Sequence, residues 1–506
     1  MNKKKFSHYK TREIKKEISI LKNTDSKFIE SQGEKMALSL FNFSSQNVPA
    51  YSDFLERNKV SKVIKDIDDF KYVPVVRKDN YLRKFSYERL FPQRSLENAT
   101  TISATSGSTG ESFYFPRSEV HDAYYEYATE IFFINQFGLS KKTSTLCVLG
   151  FGLGIWIGGI FTYKNLNKLA QKGYKLTIVP VGTNKDLFLT SCKKFFPLYD
   201  QSIIMGYPPF IKDVIDSGGD HGIDWKKYDL RILTAAEGYS ESFREYLVEK
   251  TGIKNKYAHI VNIYGTVEQG TIAHETSFTA LIRSLANKNK KLFQILFPNA
   301  ISMPTVAQYY PHLAYFEAID GEVVVTSYGS AIPLVRYAFS DLGGVISFHE
   351  VVEKCKMAGL DILQEAKKVG ILKQILHLPI VYLFARNDFV IVFRGANIYP
   401  GEIRTALDRK ELSKFITGKT TIFKKENKLL NPVLEINVEL KKNVLMTSGL
   451  KKQITNYIVE ELRAHNSEYA YLYSLEGEKV CPKVVGWPYH HPKYFSGAGK
   501  QQWVKK

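Results

Sequence analysis

Cysteine is scarce. The chain has four in 506 residues, Cys147, Cys192, Cys355 and Cys481. They lie far apart and form no C-x-x-C pair, which excludes a zinc ribbon, a dithiol redox motif and a disulfide-stapled scaffold. Scattered thiols fit a reducing compartment, so a cytoplasmic location is expected. Long apolar runs are also missing. The longest, Val148 to Tyr163, is interrupted by glycines and too short to cross a bilayer, so no transmembrane segment is expected. The basic start, Met1-Asn2-Lys3-Lys4-Lys5, is followed by no apolar stretch, so no signal peptide is expected. Internal repeats and low-complexity linkers do not occur. Acid is the minority charge: Asp and Glu number 51 against 70 Lys and Arg, a net +19. That balance favours anionic partners without choosing among them. Recognition-helix, zinc and RNA-motif text is absent, which argues against nucleic acid as the partner.

What is present is the composition of a globular protein, 44% hydrophobic and 24% charged, in a chain long enough for more than one domain. The first hundred residues carry helical patterns. From Thr101 onward short β-rich runs alternate with helical segments: Thr143–Leu149, Lys175–Pro180, Leu230–Thr234, Ile260–Ile263 and Glu322–Ser327. Such alternation predicts an α/β body with several sheets and flanking helices. Tyr124, Tyr125, Tyr127, Phe132 and Phe133 belong to a helix expected to pack into its core. Beyond about residue 388 the pattern changes. Phe389–Phe393 reads as a short strand, and Val433–Leu440 alternates with period two. Leu450, Ile454, Ile458 and Leu462 share one helix face, and Tyr469–Ser474 reads as a further strand. Residues 1–387 are therefore expected to form the large body, and 388–506 a small, mobile α+β lobe.

One run stands out within the body: Thr105-Ser106-Gly107-Ser108-Thr109-Gly110. Hydroxyls and glycines in such a run can wrap N–H groups around phosphate oxygens, because glycine turns tightly and adds no bulk. The G-x-x-x-x-G-K-[ST] frame is missing, so this is not a Walker loop. Further segments accompany it in order. Pro74-Val75-Val76-Arg77-Lys78-Asp79 with Leu82 lies upstream. Ala235-Ala236-Glu237 and Tyr264-Gly265-Thr266-Val267-Glu268 each follow a β-run. Ile332–Tyr337 leads to Asp341-Leu342-Gly343. Ala385-Arg386-Asn387-Asp388 precedes Arg394-Gly395-Ala396-Asn397-Ile398-Tyr399-Pro400-Gly401-Glu402, and Gly499-Lys500 comes last. In this order and spacing the set resembles the adenylate-forming superfamily of acyl-CoA synthetases, and within it the phenylacetate–coenzyme A ligase family, from about residue 70 onward.

The resemblance implies a two-step reaction. A carboxylate attacks the α-phosphorus of ATP to give an acyl-adenylate and pyrophosphate, and a thiol, coenzyme A, then displaces AMP. Negative charge builds on phosphoryl oxygens in the first step, so N–H groups, hydroxyls, Mg²⁺ and a lysine should supply the catalysis. By resemblance, Ser106, Gly107, Ser108, Thr109 and Gly110 hold the triphosphate, and Thr109 and Glu268 hold Mg²⁺. Ala236, Glu237, Tyr264, Gly265 and Thr266 belong to the nucleotide site. Asp341 accepts the ribose hydroxyls, and Arg386 binds ribose or phosphate. Asp388 is the hinge, Arg394 and Gly395 face coenzyme A, and Lys500 is the catalytic lysine of adenylation.

The same resemblance puts the acid between the glycine-rich segment and the Tyr264 motif. Phe151, Gly152, Trp156 and Tyr264 then favour an aryl or medium apolar acid. His274 is a second candidate for that pocket. The sequence departs from the family at Glu111-Ser112-Phe113, at Val267, in the Ala-Arg-Asn-Asp-Phe hinge text and over Ala286–Pro311. The acceptor also stays open: an amine or a carrier-protein phosphopantetheine would serve the same adenylate. A homodimer is compatible with the family.

Overall fold

The computed structural model describes residues 14–104, 113–155, 157–236, 238–300, 302–386, 391–394, 396–426 and 432–495. Its strands run in chain order as β1 (Thr101–Ala104), β2 (Tyr114–Arg117), β3 (Thr145–Gly150), β4 (Leu176–Val179), β5 (Gln201–Gly206) and β6 (Leu230–Ala235). There follow β7 (Ile260–Thr266), β8 (Gly270–His274), β9 (Thr305–Gln308), β10 (Ala314–Ile319), β11 (Glu322–Ser327) and β12 (Leu334–Ile346). The last six are β13 (Ile380–Arg386), β14 (Ile391–Phe393), β15 (Ala396–Ile398), β16 (Ile416–Glu426), β17 (Pro432–Leu440) and β18 (Lys483–Trp487).

An eleven-stranded sheet organises the body, in the order β10-β11-β12-β13-β9-β8-β7-β6-β5-β3-β4. From β4 to β7 neighbouring strands are parallel; from β7 to β10 they are antiparallel. Every residue of β3 and β5 is buried, as continuous apolar strands covered on both faces must be. The helix Glu119–Phe137 stops at Gly138, whose φ of 69° is the left-handed conformation that closes a helix. Its Phe132, Phe133 and Phe137 pack with Leu149, Phe151, Met205 and Val261 on one face of the sheet. N-terminal helices cover β10–β12 through Phe41, Tyr51, Phe54 and Phe70. Among the described residues no helix is long and apolar enough to cross a membrane.

Residues 391–484 build a core of their own, with Ile436, Val438, Ile454, Ile458 and Leu462 at its centre. The helix Ser448–His465 joins β17 to its parallel partner β18, so the period-four face is buried as expected. Tyr469–Ser474, however, is helical rather than extended: it lies within the helix Ser467–Glu476. Asn466 decides this locally, its side chain accepting from the Tyr469 N–H at 2.8 Å. Burial of Tyr469 and Leu472 on one helix face then outweighs aromatic β-propensity. Residues 391–393 of the expected strand Phe389–Phe393 are extended; 389 and 390 lie outside the described residues.

The two cores meet at the helix Pro208–Ser217. Its Lys212 Nζ lies 3.0 Å from Asp216 Oδ2, a carboxylate that Lys441 also reaches. Tyr489 donates to Asp213 Oδ2 at 2.7 Å and takes Lys185 Nζ at 2.9 Å. Ser240 donates to Asp408 at 3.1 Å.

Candidate functional site

The parallel strands place the loops of their carboxyl ends together, the usual ligand position in an open α/β sheet. Ala236 follows β6, and Tyr264-Gly265-Thr266 ends β7. The segment Phe151–Ile155 follows β3, and the Ala104 N–H donates to the Ile155 carbonyl at 3.2 Å. Since Ala104 pairs with Tyr114, the glycine–hydroxyl run is the connection of the β1–β2 hairpin. Ser106, Gly107, Ser108, Thr109 and Gly110 themselves lie outside the described residues, as do Trp156, Glu237, Asp388, Gly395 and Lys500.

Glu268 is buried at the β7–β8 turn, and Lys78 Nζ meets its Oε1 at 2.8 Å. Lys78 is carried there by backbone pairing: Val76 N–H donates to Arg336 O at 2.9 Å, and Ala338 N–H to Val76 O at 3.0 Å. A second cation supports the turn from inside. The fully buried Arg117 donates to the Val267 carbonyl and to Phe115 O at 3.2 Å, and lies over the Phe161 ring at 5.0 Å. Burial pulls its guanidinium down from its ordinary range, with Tyr125, Glu268 and Asp122 opposing. Gly265 is required here, because a Cβ would stand 2.7 Å from the Gly270 carbonyl across the turn.

Tyr264 donates to Asp341 Oδ2 at 2.6 Å. Asp341 is buried in β12 directly across from Arg386 of β13. The residue before it, Ser340, has a φ of 67°, and Ala236 a φ of 71°. Non-glycine residues held in that region cost free energy and tend to mark functional sites. Tyr264, Asp341 and Arg386, some 120 residues apart in sequence, thus converge, and Lys78 joins Glu268 four residues along the same strand-turn. Phe151 is buried against the Tyr207 ring at 5.5 Å, with Gly152 half-buried beside it. Arg394 is turned toward its own lobe, ion-paired with Glu476.

Behind this arrangement lies a charged group that sequence reasoning missed. Glu275 accepts from Arg244 Nη2 at 2.6 Å, Arg283 Nη1 at 3.0 Å, Tyr239 Oη at 3.0 Å and the Asn262 N–H at 3.1 Å. Glu241 joins through Arg244 at 3.1 Å. Arg283 also donates to the Tyr239 carbonyl at 2.6 Å. Two arginines and two glutamates, all buried, therefore clamp the loop after β6 to β7. Lys78 was visible only as part of a motif without a role, whereas Arg117 and this quartet carried no sequence signal. The described residues contain no group of three or more His, Cys, Asp or Glu placed to hold a metal. One carboxylate with phosphate oxygens is nevertheless a donor set that Mg²⁺ accepts, so Glu268 fits such an ion.

No family model matches the sequence, and no curated protein does. Solved structures do match. 2-Hydroxyisobutyryl-CoA ligase in its postadenylation state, in complex with 2-HIB-AMP, superposes with a TM-score of 0.68 at 13% identity, covering 96% of this chain and 91% of that one. The same ligase in complex with 2-HIB-AMP and CoA in the thioesterification state gives 0.55 at 14% identity, with coverage of 96% and 91%. Its open conformation with 2-HIB-AMP and CoA gives 0.56 at 13%, with coverage of 96% and 93%. The chain thus has the adenylate-forming ligase fold, a large α/β body with a smaller C-terminal part.

Proposed function

We propose that this chain activates a carboxylic acid with ATP, releasing pyrophosphate, and passes the acyl group from the acyl-adenylate to a thiol, coenzyme A. One observation carries the reading. Motifs distant in sequence meet at the carboxyl ends of the parallel strands, with Tyr264 on Asp341, Asp341 across from Arg386, and Lys78 on Glu268. The fold, shared with a ligase solved with an acyl-AMP and CoA, supports it.

Asp341 is the acceptor for the ribose hydroxyls, since a carboxylate takes two adjacent O–H donors, and Arg386 serves ribose or phosphate. Ala236, Glu237, Gly265 and Thr266 border the nucleotide. Ser106–Gly110 wrap the triphosphate. Glu268 and Thr109 hold Mg²⁺, which when bound offsets charge on the phosphoryl oxygens. Lys78 brings a further cation to the same end. Phe151, Gly152, Trp156 and Tyr264 border an aryl or apolar acid. Residues 1–387 act as the adenylation body and 388–506 as the lobe that carries Lys500, with Asp388 at the hinge. Arg394 and Gly395 face coenzyme A, whose phosphates compete with Glu476 for Arg394.

A pyrophosphate-release screen over carboxylic acids, with and without coenzyme A, tests the reaction. Acid-dependent release is expected, with a thioester formed only when coenzyme A is present. Product transferred instead to an amine or a carrier protein would replace the acceptor, and no release with any acid would remove the reading. Lys500→Ala should cripple release yet leave thioester formation from supplied acyl-adenylate nearly intact. Equal slowing of both steps would leave Lys500 a tail charge.

A further inference from the structure

A cavity borders the β7–β8 hairpin on the side of the helix Glu119–Phe137. Tyr124, Tyr125, Gln269, His274, Tyr310 and Tyr328 line it. It begins beside Gln269, next to Glu268 at the turn, where the Gly329 N–H donates to Gln269 Oε1 at 3.0 Å. It runs inward to His274, which pairs with Ile263 one residue before Tyr264. The lining thus runs from Gln269, the neighbour of Glu268 at the turn, to the buried His274 and Tyr310.

The deep end holds unanswered polar groups. His274 and Tyr310 are 4% and 3% exposed, and neither His274 Nδ1 nor the Tyr310 hydroxyl has a hydrogen-bond partner among the described residues. Their rings are fixed: His274 stacks on Phe132 at 4.4 Å and meets Tyr310 edge-on at 5.3 Å. A buried donor or acceptor left unpaired is costly, so such groups in a native protein call for a partner. Burial holds the His274 imidazolium down to about 4, so near neutral pH the ring is uncharged, with one donor and one acceptor. Among the described residues no cationic or anionic side chain lines the space, and an unpaired charge would be costly there. The volume of about 40 Å³ takes about three water-sized groups, well below the ~150 Å³ that encloses benzene.

We infer that this cavity receives the far end of the acid, and that His274 and Tyr310 select an acid whose apolar body ends in a small, uncharged hydrogen-bonding group such as a hydroxyl or carbonyl. This rests on the ligase reading and narrows it: an aromatic ring beside Phe151 does not fill the space at His274.

The test compares acids matched in length that end in hydroxyl, methyl or ammonium. Pyrophosphate release by any of them tests the ligase reading alone. The hydroxyl-ended acid is expected to exceed the methyl-ended one at least tenfold in kcat/KM, and the ammonium-ended one to be inactive. Tyr310→Phe, which deletes a single oxygen, and His274→Phe should each erase most of that preference. The KM for ATP and the unfolding temperature of Tyr310→Phe should stay near wild type. If no acid drives release, calorimetric titration of the same acids without ATP reads the cavity independently: the hydroxyl-ended acid must bind wild type and weaken tenfold in Tyr310→Phe. Equal use or binding of hydroxyl- and methyl-ended acids, a preference untouched by both substitutions, or only water bound at His274 when crystals are soaked in the hydroxyl-ended acid, overturns the inference.

Discussion

Two charged groups flank β7, and they differ in what surrounds them. Behind the strand, Glu241, Arg244, Glu275 and Arg283 are closed on one another, with side chains 0–5% exposed. At its end, Lys78 pairs with Glu268, and the lysine side chain stays 37% exposed. Water cannot compete with the first group, and replacing such ion pairs by apolar residues is often neutral for stability. What the quartet contributes is a fixed path for the loop Ala236–Tyr239, whose carbonyl and hydroxyl it holds. The lysine of the second group is partly exposed beside a buried glutamate, and under the proposed function this is the pair that meets the phosphate and the metal ion.

The largest effect should come from opening the quartet. Glu275→Ala leaves two arginines buried without their shared carboxylate and should cost about 3–5 kcal/mol, measured by denaturant unfolding. A loss below about 1 kcal/mol would mean that solvent reaches the cluster and that the contrast with the open pair is false. Glu268→Gln should reverse the pattern. Adenylation should fall about a hundredfold, ~2.7 kcal/mol of transition-state stabilisation, with stability near wild type. Near-normal pyrophosphate release by the folded variant would remove Glu268 from the reaction.

Asp341→Ala should weaken ATP by about 1.5–3 kcal/mol, the scale of charge-assisted hydrogen bonds, and leave the acid's affinity almost unchanged. Calorimetric titration decides it, and an unaltered ATP Kd excludes the ribose role. The small lobe offers a buried carboxylate that, among the described residues, has no countercharge as close as the quartet's. Glu402 accepts from the Tyr399 N–H and from Asn466 Nδ2, both at 3.1 Å, and burial pushes it up to about 7. Its folded pKa exceeds its unfolded one, so the folded state keeps the proton that the unfolded chain releases. That stability is full below about pH 4.5 and is lost as pH rises through 7. Between pH 5 and 7 the decline should amount to about 2 kcal/mol, and Glu402→Gln should flatten it in unfolding experiments run across that range.

The sequence by itself determined the alternation of strand and helix, the positions of β3, β4, β6, β7 and β11, and the motif segments around Tyr264, Asp341 and Arg386. Those features are local: apolar runs, period-four faces and glycine-flanked turns are written in consecutive residues. Tertiary structure decided which of them meet. Nothing near Lys78 points to Glu268, because the pairing of Val76 with β12 and the fold of the β7–β8 turn bring them together. Glu241, Arg244, Glu275 and Arg283 read along the chain as ordinary surface charge and become a buried quartet only when the helices that carry Glu241, Arg244 and Arg283, and the turn after β8 that carries Glu275, pack behind β7. His274 was a candidate on position alone, but Tyr310, which completes the cavity, comes from the segment just after β9. Even Tyr469–Ser474, strand-like in composition, became helix once Asn466 capped it and its face met the small-lobe core. Local propensity differences are fractions of a kcal/mol per residue, whereas burying one large side chain is worth about 1.5–3 kcal/mol, so long-range packing outweighs the local preference wherever the two disagree.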